Sequence, residues 1–291
     1  MSDNTSILEQ RSVPNAMRGL LQICQATGMP YPIKDNSTIN QRLNIVPNER
    51  PTEDETPLIR YITLGTGGHR YSASREGNVQ FNVPLQHKPR HNAPFQPFPF
   101  LLLPIADDIG PSERAKYRLR REEEHAGKTY VAYYSMPIDF SGVEPKLMLR
   151  TVDEFGNVTE DEYFPTQQDL FPVPDPIVPG SSNTTSREYV VASMRFSFGL
   201  NSEQVNNLIE AAKILYGEAR AATISEVMIC SGVDRNISTM IGGIQTGLTE
   251  VVSMQVSSFM STYFPAVDWP RGVVMDFDLA SANPMLEYRT I

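Results

Sequence analysis

Six prolines crowd residues 83–104 (Pro84, Pro89, Pro94, Pro97, Pro99 and Pro104), interleaved with Phe95, Phe98, Phe100 and the run Leu101-Leu102-Leu103. Each proline removes a backbone donor and fixes φ, so the stretch can be neither a helix nor the middle of a sheet, while its rings demand cover. An extended segment lying in an apolar groove meets both conditions, and a neighbouring subunit is one source of such a groove. Residues 30–57 repeat the theme, with prolines, asparagines and the acidic group Glu53-Asp54-Glu55 but few periodic apolar positions. They read as an extended N-terminal arm.

Between these segments lie regular elements. Asn15 and Gly28 bracket a helix over 15–27, whose apolar side holds Leu20, Leu21, Ile23 and Cys24. Strands are expected at 58–64, 129–136, 147–152 and 158–164, the last two joined by the turn residues Phe155-Gly156-Asn157. Gly110-Pro111-Ser112-Glu113 and Gly127 frame a charged helix over 111–126, basic first and acidic afterwards, an order that opposes the helix dipole. Residues 165–186 read as a linker or long loop. The last third alternates clearly: a strand at 190–198, a helix opened by Asn201 and closed by Gly217, then strands at 223–230, 248–259 and 273–279. The expected fold class is α+β, a mainly antiparallel, sandwich-like β core with a few helices. Its divisions are an N-terminal helix and extended arm at 1–57, a β-rich region at 58–164 that holds the proline-rich clasp and the charged helix, the linker, and a C-terminal β-α-β-β-β module at 187–291.

Composition narrows the function. Lys and Arg total 25 against 34 Asp and Glu, and a net charge of -9 repels a phosphate backbone. Two cysteines, Cys24 and Cys230, cannot make a disulfide scaffold or a cysteine metal cluster. The longest apolar run, 100–106, contains Pro104 and falls well short of a membrane span, and the first residues carry no secretion signal, so folding in a cytoplasm and no membrane partner are expected.

Catalytic constellations are thin. His87 and His91 are four apart, a ligand spacing on a helix, but Pro89 between them argues against a helix. Gly65-Thr66-Gly67-Gly68-His69 lacks the lysine of a phosphate loop and the last glycine of a dinucleotide fingerprint, and reads as a turn. Glu122, Glu123, Glu124 and His125 are consecutive and cannot all reach one ion from a helix. Asp276 and Asp278 share one strand face without a histidine nearby in sequence. No catalytic residue, metal site or cofactor is expected.

Several stretches resemble uncharacterised virion structural proteins of large tailed bacteriophages: Gly65-Thr66-Gly67-Gly68-His69-Arg70-Tyr71, Pro84-Leu85-Gln86-His87-Lys88-Pro89-Arg90-His91, Glu113-Arg114-Ala115-Lys116-Tyr117 through Arg121-Glu122-Glu123-Glu124-His125, and Ile224-Ser225-Glu226-Val227 through Ser231-Gly232-Val233-Asp234. The resemblance implies a place in the particle, assembled in the bacterial host cytoplasm. Size, acidity and the lack of enzymatic signals suit a neck or connector protein, a homo-oligomeric ring between head portal and tail held by interlocking arms. Portal, tail or sheath components would be its other partners, with contact to packaged DNA left open. A tail-completion or baseplate protein and a receptor- or carbohydrate-binding tail module around Trp269 are the alternatives. The residues expected at subunit interfaces are Phe95, Phe98, Phe100 and Leu101 of the proline-rich clasp, and Arg114, Arg118, Arg121, Glu122 and Glu124 of the charged helix.

Overall fold

The computed structural model describes residues 12–73, 80–173, 181–241 and 244–290. In chain order the first elements are β1 (Ser12–Pro14), α1 (Ala16–Thr27), α2 (Ile39–Leu43), β2 (Leu58–Gly65), β3 (His69–Ala73) and β4 (Gln80–Pro84). Next come β5 (Pro97–Phe98), β6 (Leu101–Pro104), α3 (Pro111–Arg114), β7 (Leu119–His125), β8 (Lys128–Pro137), β9 (Lys146–Val152), β10 (Val158–Glu162) and α4 (Gln167–Leu170). The chain closes with β11 (Ser181–Asn201), α5 (Ser202–Tyr216), β12 (Thr223–Ile241), β13 (Ile244–Pro265) and β14 (Gly272–Thr290). The fold is mostly antiparallel β with few helices, as expected. It divides into unit 1, residues 1–139 and 200–273, and unit 2, residues 140–199 and 274–291.

Unit 1 is built on an eight-stranded sheet ordered β1-β13-β12-β2-β8-β6, with β5 added to β2 and β7 to β8, and on the separate β3–β4 hairpin. Its spine is the β12–β13 hairpin, which pairs without a break in direction from Thr223 and Pro265 to Ile241 and Ile244. Strands of 19 and 22 residues exceed the usual five or six several-fold, and Gly242-Gly243 is the two-residue hairpin signal in the sequence between them. The sequence-based reading broke this hairpin into two shorter strands.

Three expectations are corrected here. The proline-rich segment needs no neighbour for cover: Pro97 and Phe98 pair with Gly65 and Leu64, residues 101–104 pair with β8, and Phe98, Phe100 and Leu101 are core residues of unit 1. Pro97, Pro99 and Pro104 fall in or between two-to-four-residue strands, so few ladder bonds are lost. The arm at 30–57 also lies on its own unit. Thr38 and Gln41 form a capping box for α2, and buried Asn40 donates to Val251 O at 3.0 Å and accepts from Met254 N at 2.7 Å, fastening the segment to β13.

The third correction is the charged helix over 111–126, which is one turn followed by β7. Tyr117 and Leu119 are buried while residues 118 and 120 are not, a period of two that the helical reading passed over. Gly127, read as a helix stop, is a hairpin residue. Ala126 at φ 50° and Gly127 at φ 73° link His125 to its partner Lys128, the positive-φ pair of a type I′ turn. The basic-then-acidic order now makes sense, because i and i+2 share a strand face. Arg120 pairs with Glu122 at 2.9 Å, and Glu123 lies between Arg121 at 3.8 Å and His125 at 3.1 Å.

Unit 2 is one four-stranded sheet, ordered β10-β9-β11-β14. Asp153 accepts from Phe155 N and Asn157 N, closing the expected β9–β10 turn. The linker placed at 165–186 is shorter: β11 begins at Ser181, and residues 174–180 lie outside the described residues. The β-α-β-β-β order at 187–291 is present, but it is not one module. β12 and β13 belong to the sheet of unit 1, and most of β11 and β14 to unit 2. Phe196 anchors the small core of unit 2, edge-on to Phe140 at 5.0 Å and stacked on Phe277 at 5.2 Å.

Candidate functional site

The densest chemistry in unit 1 surrounds Glu226. Its carboxylate, wholly buried, sits on β12 directly opposite Gly65 of β2. Oε2 accepts from Gly67 N at 2.9 Å and Gln96 N at 3.3 Å, and Oε1 accepts from Phe95 N at 2.8 Å. An ionised carboxylate can only accept, so the ring N–H of His87 completes the shell by donating from Nε2 to Oε1 at 2.6 Å. Both side chains of this pair are fully out of solvent. The imidazole of His87 is itself clamped between Phe95, at 4.2 Å between centroids, and Phe259, at 3.8 Å.

Gly65 leaves room for this carboxylate, and Gly68 for the β12 backbone beside it. A Cβ at Gly65 would stand 2.5 Å from Glu226 Oε2, and one at Gly68 would stand 2.3 Å from the backbone oxygen of Ser225. Gly68 N also donates to Ser225 Oγ at 2.8 Å. The motif is thus the turn that was expected. Its glycines allow close approach to β12.

On the outer side, His91 folds back over the turn at residues 88–91, and its Nδ1 lies 3.2 Å from Nδ1 of His87. Burial, then the neighbouring His87, Arg90 and Lys88, hold His91 below the ordinary imidazole range. Burial likewise lowers His69, against the opposing pull of Glu226. Asn15 caps α1 through Met17 N at 2.7 Å and donates to His91 O, while Ala16 N donates to Pro89 O at 2.9 Å. The centre therefore ties β12, the glycine turn, the proline-rich loop and α1 together. With its acceptor positions taken by four donors and its side chain closed to water, the carboxylate fastens these segments to one another. Sequence reasoning missed Glu226. The available signal was one charged residue inside the otherwise uncharged run Ile224-Ser225-Glu226-Val227-Met228-Ile229-Cys230.

The expected interface residues separate into groups. Phe98, Phe100 and Leu101 are interior, while Phe95 is half exposed and stacks on His87. Arg114 pairs with Glu250 at 2.8 Å in a nearly enclosed bridge, and burial raises the Glu250 carboxyl against that pairing. Arg118 reaches Asp234 at 3.1 Å, and Asp234 also accepts from Tyr61 Oη. Arg121, Glu122 and Glu124 remain at the surface, lining a cleft of about 710 Å³ with Arg42 of α2 and Tyr216 of α5. Tyr134 points into the same cleft and donates to Glu123 at 2.9 Å, and burial pushes its hydroxyl far above the ordinary range. In unit 2, Asp276 and Asp278 are not paired with one another. They accept from Ser197 at 2.5 Å and Ser193 at 2.6 Å.

Among the described residues no group of three or more His, Cys, Asp or Glu side chains is placed to hold a metal ion, and no helix is long and apolar enough to cross a membrane. No curated protein and no solved structure matches the chain. A family model matches residues 1–291, and the chain belongs to that family, DUF7208, a family of unknown function.

Proposed function

We propose that this chain is a structural subunit of a tailed-phage virion, a neck or connector protein that assembles into a ring between head portal and tail. The observation that carries the assembly reading is the surface of unit 2. Phe155, Phe164, Leu170, Phe171 and Val173 are exposed, Phe155 to 82% and Val173 to 87%. Such a density of large apolar side chains on one small sheet unit marks a surface that is covered in use. The stretches quoted above that resemble virion structural proteins give that cover its setting. Phe98, Phe100 and Leu101 are buried in unit 1 and are not available as a clasp. The contact surface lies on unit 2, with Arg121, Glu122 and Glu124 as a second, polar surface on unit 1.

The test is the mass of the purified chain in solution, by light scattering over a range of concentrations, followed by gold labelling of the chain in imaged particles. Assembly predicts integer multiples of 32.6 kDa for the chain alone, or a larger mass on mixing with portal or tail proteins, and label at the neck. A monomer at every concentration that is also absent from particles overturns the reading. Label at the baseplate keeps the structural role and removes the neck.

A further inference from the structure

His87 and His91 are four apart, and although Pro89 keeps them off a helix, the chain brings them together by another route. Residues 88–91 form a tight turn in which His91 N donates to Lys88 O at 2.9 Å, and the two rings meet edge to face with centroids 5.4 Å apart. Their Nδ1 atoms stand 3.2 Å from each other. Two nitrogens each about 2.0–2.1 Å from one tetrahedral ion stand about 3.3–3.4 Å apart, so the pair has nearly the separation of two ligands on one metal.

The hydrogen bonds around the pair fix what each facing atom offers. Glu226 accepts from three backbone N–H groups and takes the ring proton of His87 at Nε2, 2.6 Å away. With its proton there, the neutral ring of His87 presents a lone pair at Nδ1. On the other ring, Lys88 N donates to Nδ1 of His91 at 3.3 Å, which makes that atom an acceptor as well. Two lone pairs thus face each other, and a positive species between them relieves their repulsion. A carboxylate on the far nitrogen is the partner that a metal-bound histidine ordinarily has, since it fixes the tautomer and raises the basicity of the ligating nitrogen. The ring of His87 is held in advance, stacked on Phe95 at 4.2 Å and Phe259 at 3.8 Å. Lys88, Pro89 and Arg90 are exposed, so the turn lies open to solvent on its outer side. Glu226 favours a cation here, and Lys88 and Arg90 oppose it.

We propose that Nδ1 of His87 and Nδ1 of His91 bind one divalent cation of the zinc class, the class that imidazole favours, in a two-histidine site whose remaining positions are taken by water. Because Ala16 N donates to Pro89 O and Asn15 donates to His91 O, the ion would also steady the start of α1. The proposal does not depend on the virion assignment.

The test titrates the full chain, in metal-free buffer, with Zn²⁺ alone and with Mg²⁺ alone by calorimetry. One Zn²⁺ per chain and no heat with Mg²⁺ are expected. His91→Ala should weaken Zn²⁺ binding about a hundredfold or more, while His125→Ala, which removes a histidine directed at Glu123, should leave it unchanged. Since His91→Ala also loosens the turn, nitrogen NMR of the histidine rings in the parent chain gives a second reading. Zn²⁺ should shift Nδ1 of His87 and of His91 and leave the rings of His69 and His125 in place. No uptake, uptake that survives His91→Ala, or shifts confined to Nε2 or to the other histidines would overturn the proposal. So would Nδ1 signals that respond to acid and not to Zn²⁺, because a proton alone would then lie between the rings.

Discussion

Units 1 and 2 use their apolar residues in opposite ways. Unit 1 wraps a long hairpin with short strands, two early helices and a proline-rich loop until Phe98, Leu119, Tyr133 and Phe259 are fully enclosed. Unit 2 spreads one four-stranded sheet and leaves Phe155, Phe164, Leu170 and Phe171 in solvent. Proline density therefore does not identify the part of a chain that lacks cover. The proline-rich segment is enclosed because its prolines permit an irregular path through a groove made by its own unit.

The contrast can be broken most directly in the core of unit 1. Phe98→Ala should cost about 3–5 kcal/mol, and Glu226→Ala about the same, because three backbone N–H groups and the His87 ring lose their shared acceptor. Denaturant unfolding followed at Trp269, the one tryptophan and a residue of unit 1 stacked on Phe264, would read both. A change below about 1 kcal/mol for Glu226→Ala would show that the fastener is decorative. Gly68→Ala should cost about 1–3 kcal/mol by the same measurement, since its methyl group meets the Ser225 carbonyl.

Acid should separate the units in order. All four histidines, at 69, 87, 91 and 125, lie in unit 1. His69 and His91 are held below the ordinary value of 6.5, so the folded state binds fewer protons than the unfolded one, and stability falls as pH drops through that value. In unit 2, Arg150 lowers the Glu160 carboxyl from 4.5, and that contribution is present above 4.5 and lost only below it. Hydrogen exchange should therefore quicken at residues 85–96 before it quickens at 146–162 as pH is lowered. Simultaneous loss would remove the distinction. The smallest monomer effect belongs to Phe171→Ser, expected within about 0.5 kcal/mol of the parent because the ring is exposed. Its signature is a shift toward lower mass in light scattering, and an unchanged mass would free this surface from any role in assembly.

Much of the fold was legible where one local rule applied. Asn15 and Gly28 cap α1, Asn201 and Gln204 open α5, and Phe155-Gly156-Asn157 joins two strands, each at the place that its capping or turn chemistry dictates. Reading failed where two local rules competed. Pro111 and Gly127 look like helix ends, and only the alternation of Tyr117 and Leu119 with their neighbours spoke for a strand. It failed again where the cause lies far along the chain. Nothing local links the glycines at 65–68 to a carboxylate at 226, or His87 to both, because their meeting is a product of sheet order. Of the expected interface residues, Arg121, Glu122 and Glu124 were found at the surface, whereas sequence cannot tell an aromatic ring that needs a neighbour from one that has its own lid.

The chain crosses from one unit to the other at 139/140, 199/200 and 273/274. On the ribosome, β2, β5 and β8 emerge long before the hairpin that completes their sheet, and His87 waits for Phe259, on which it stacks, through the whole length of unit 2's first segment. At roughly 5–20 residues per second, that interval is on the order of ten seconds. Throughout it the nascent polypeptide holds its stickiest residues bare, which makes newly made chains, more than finished ones, the natural clients of a chaperone.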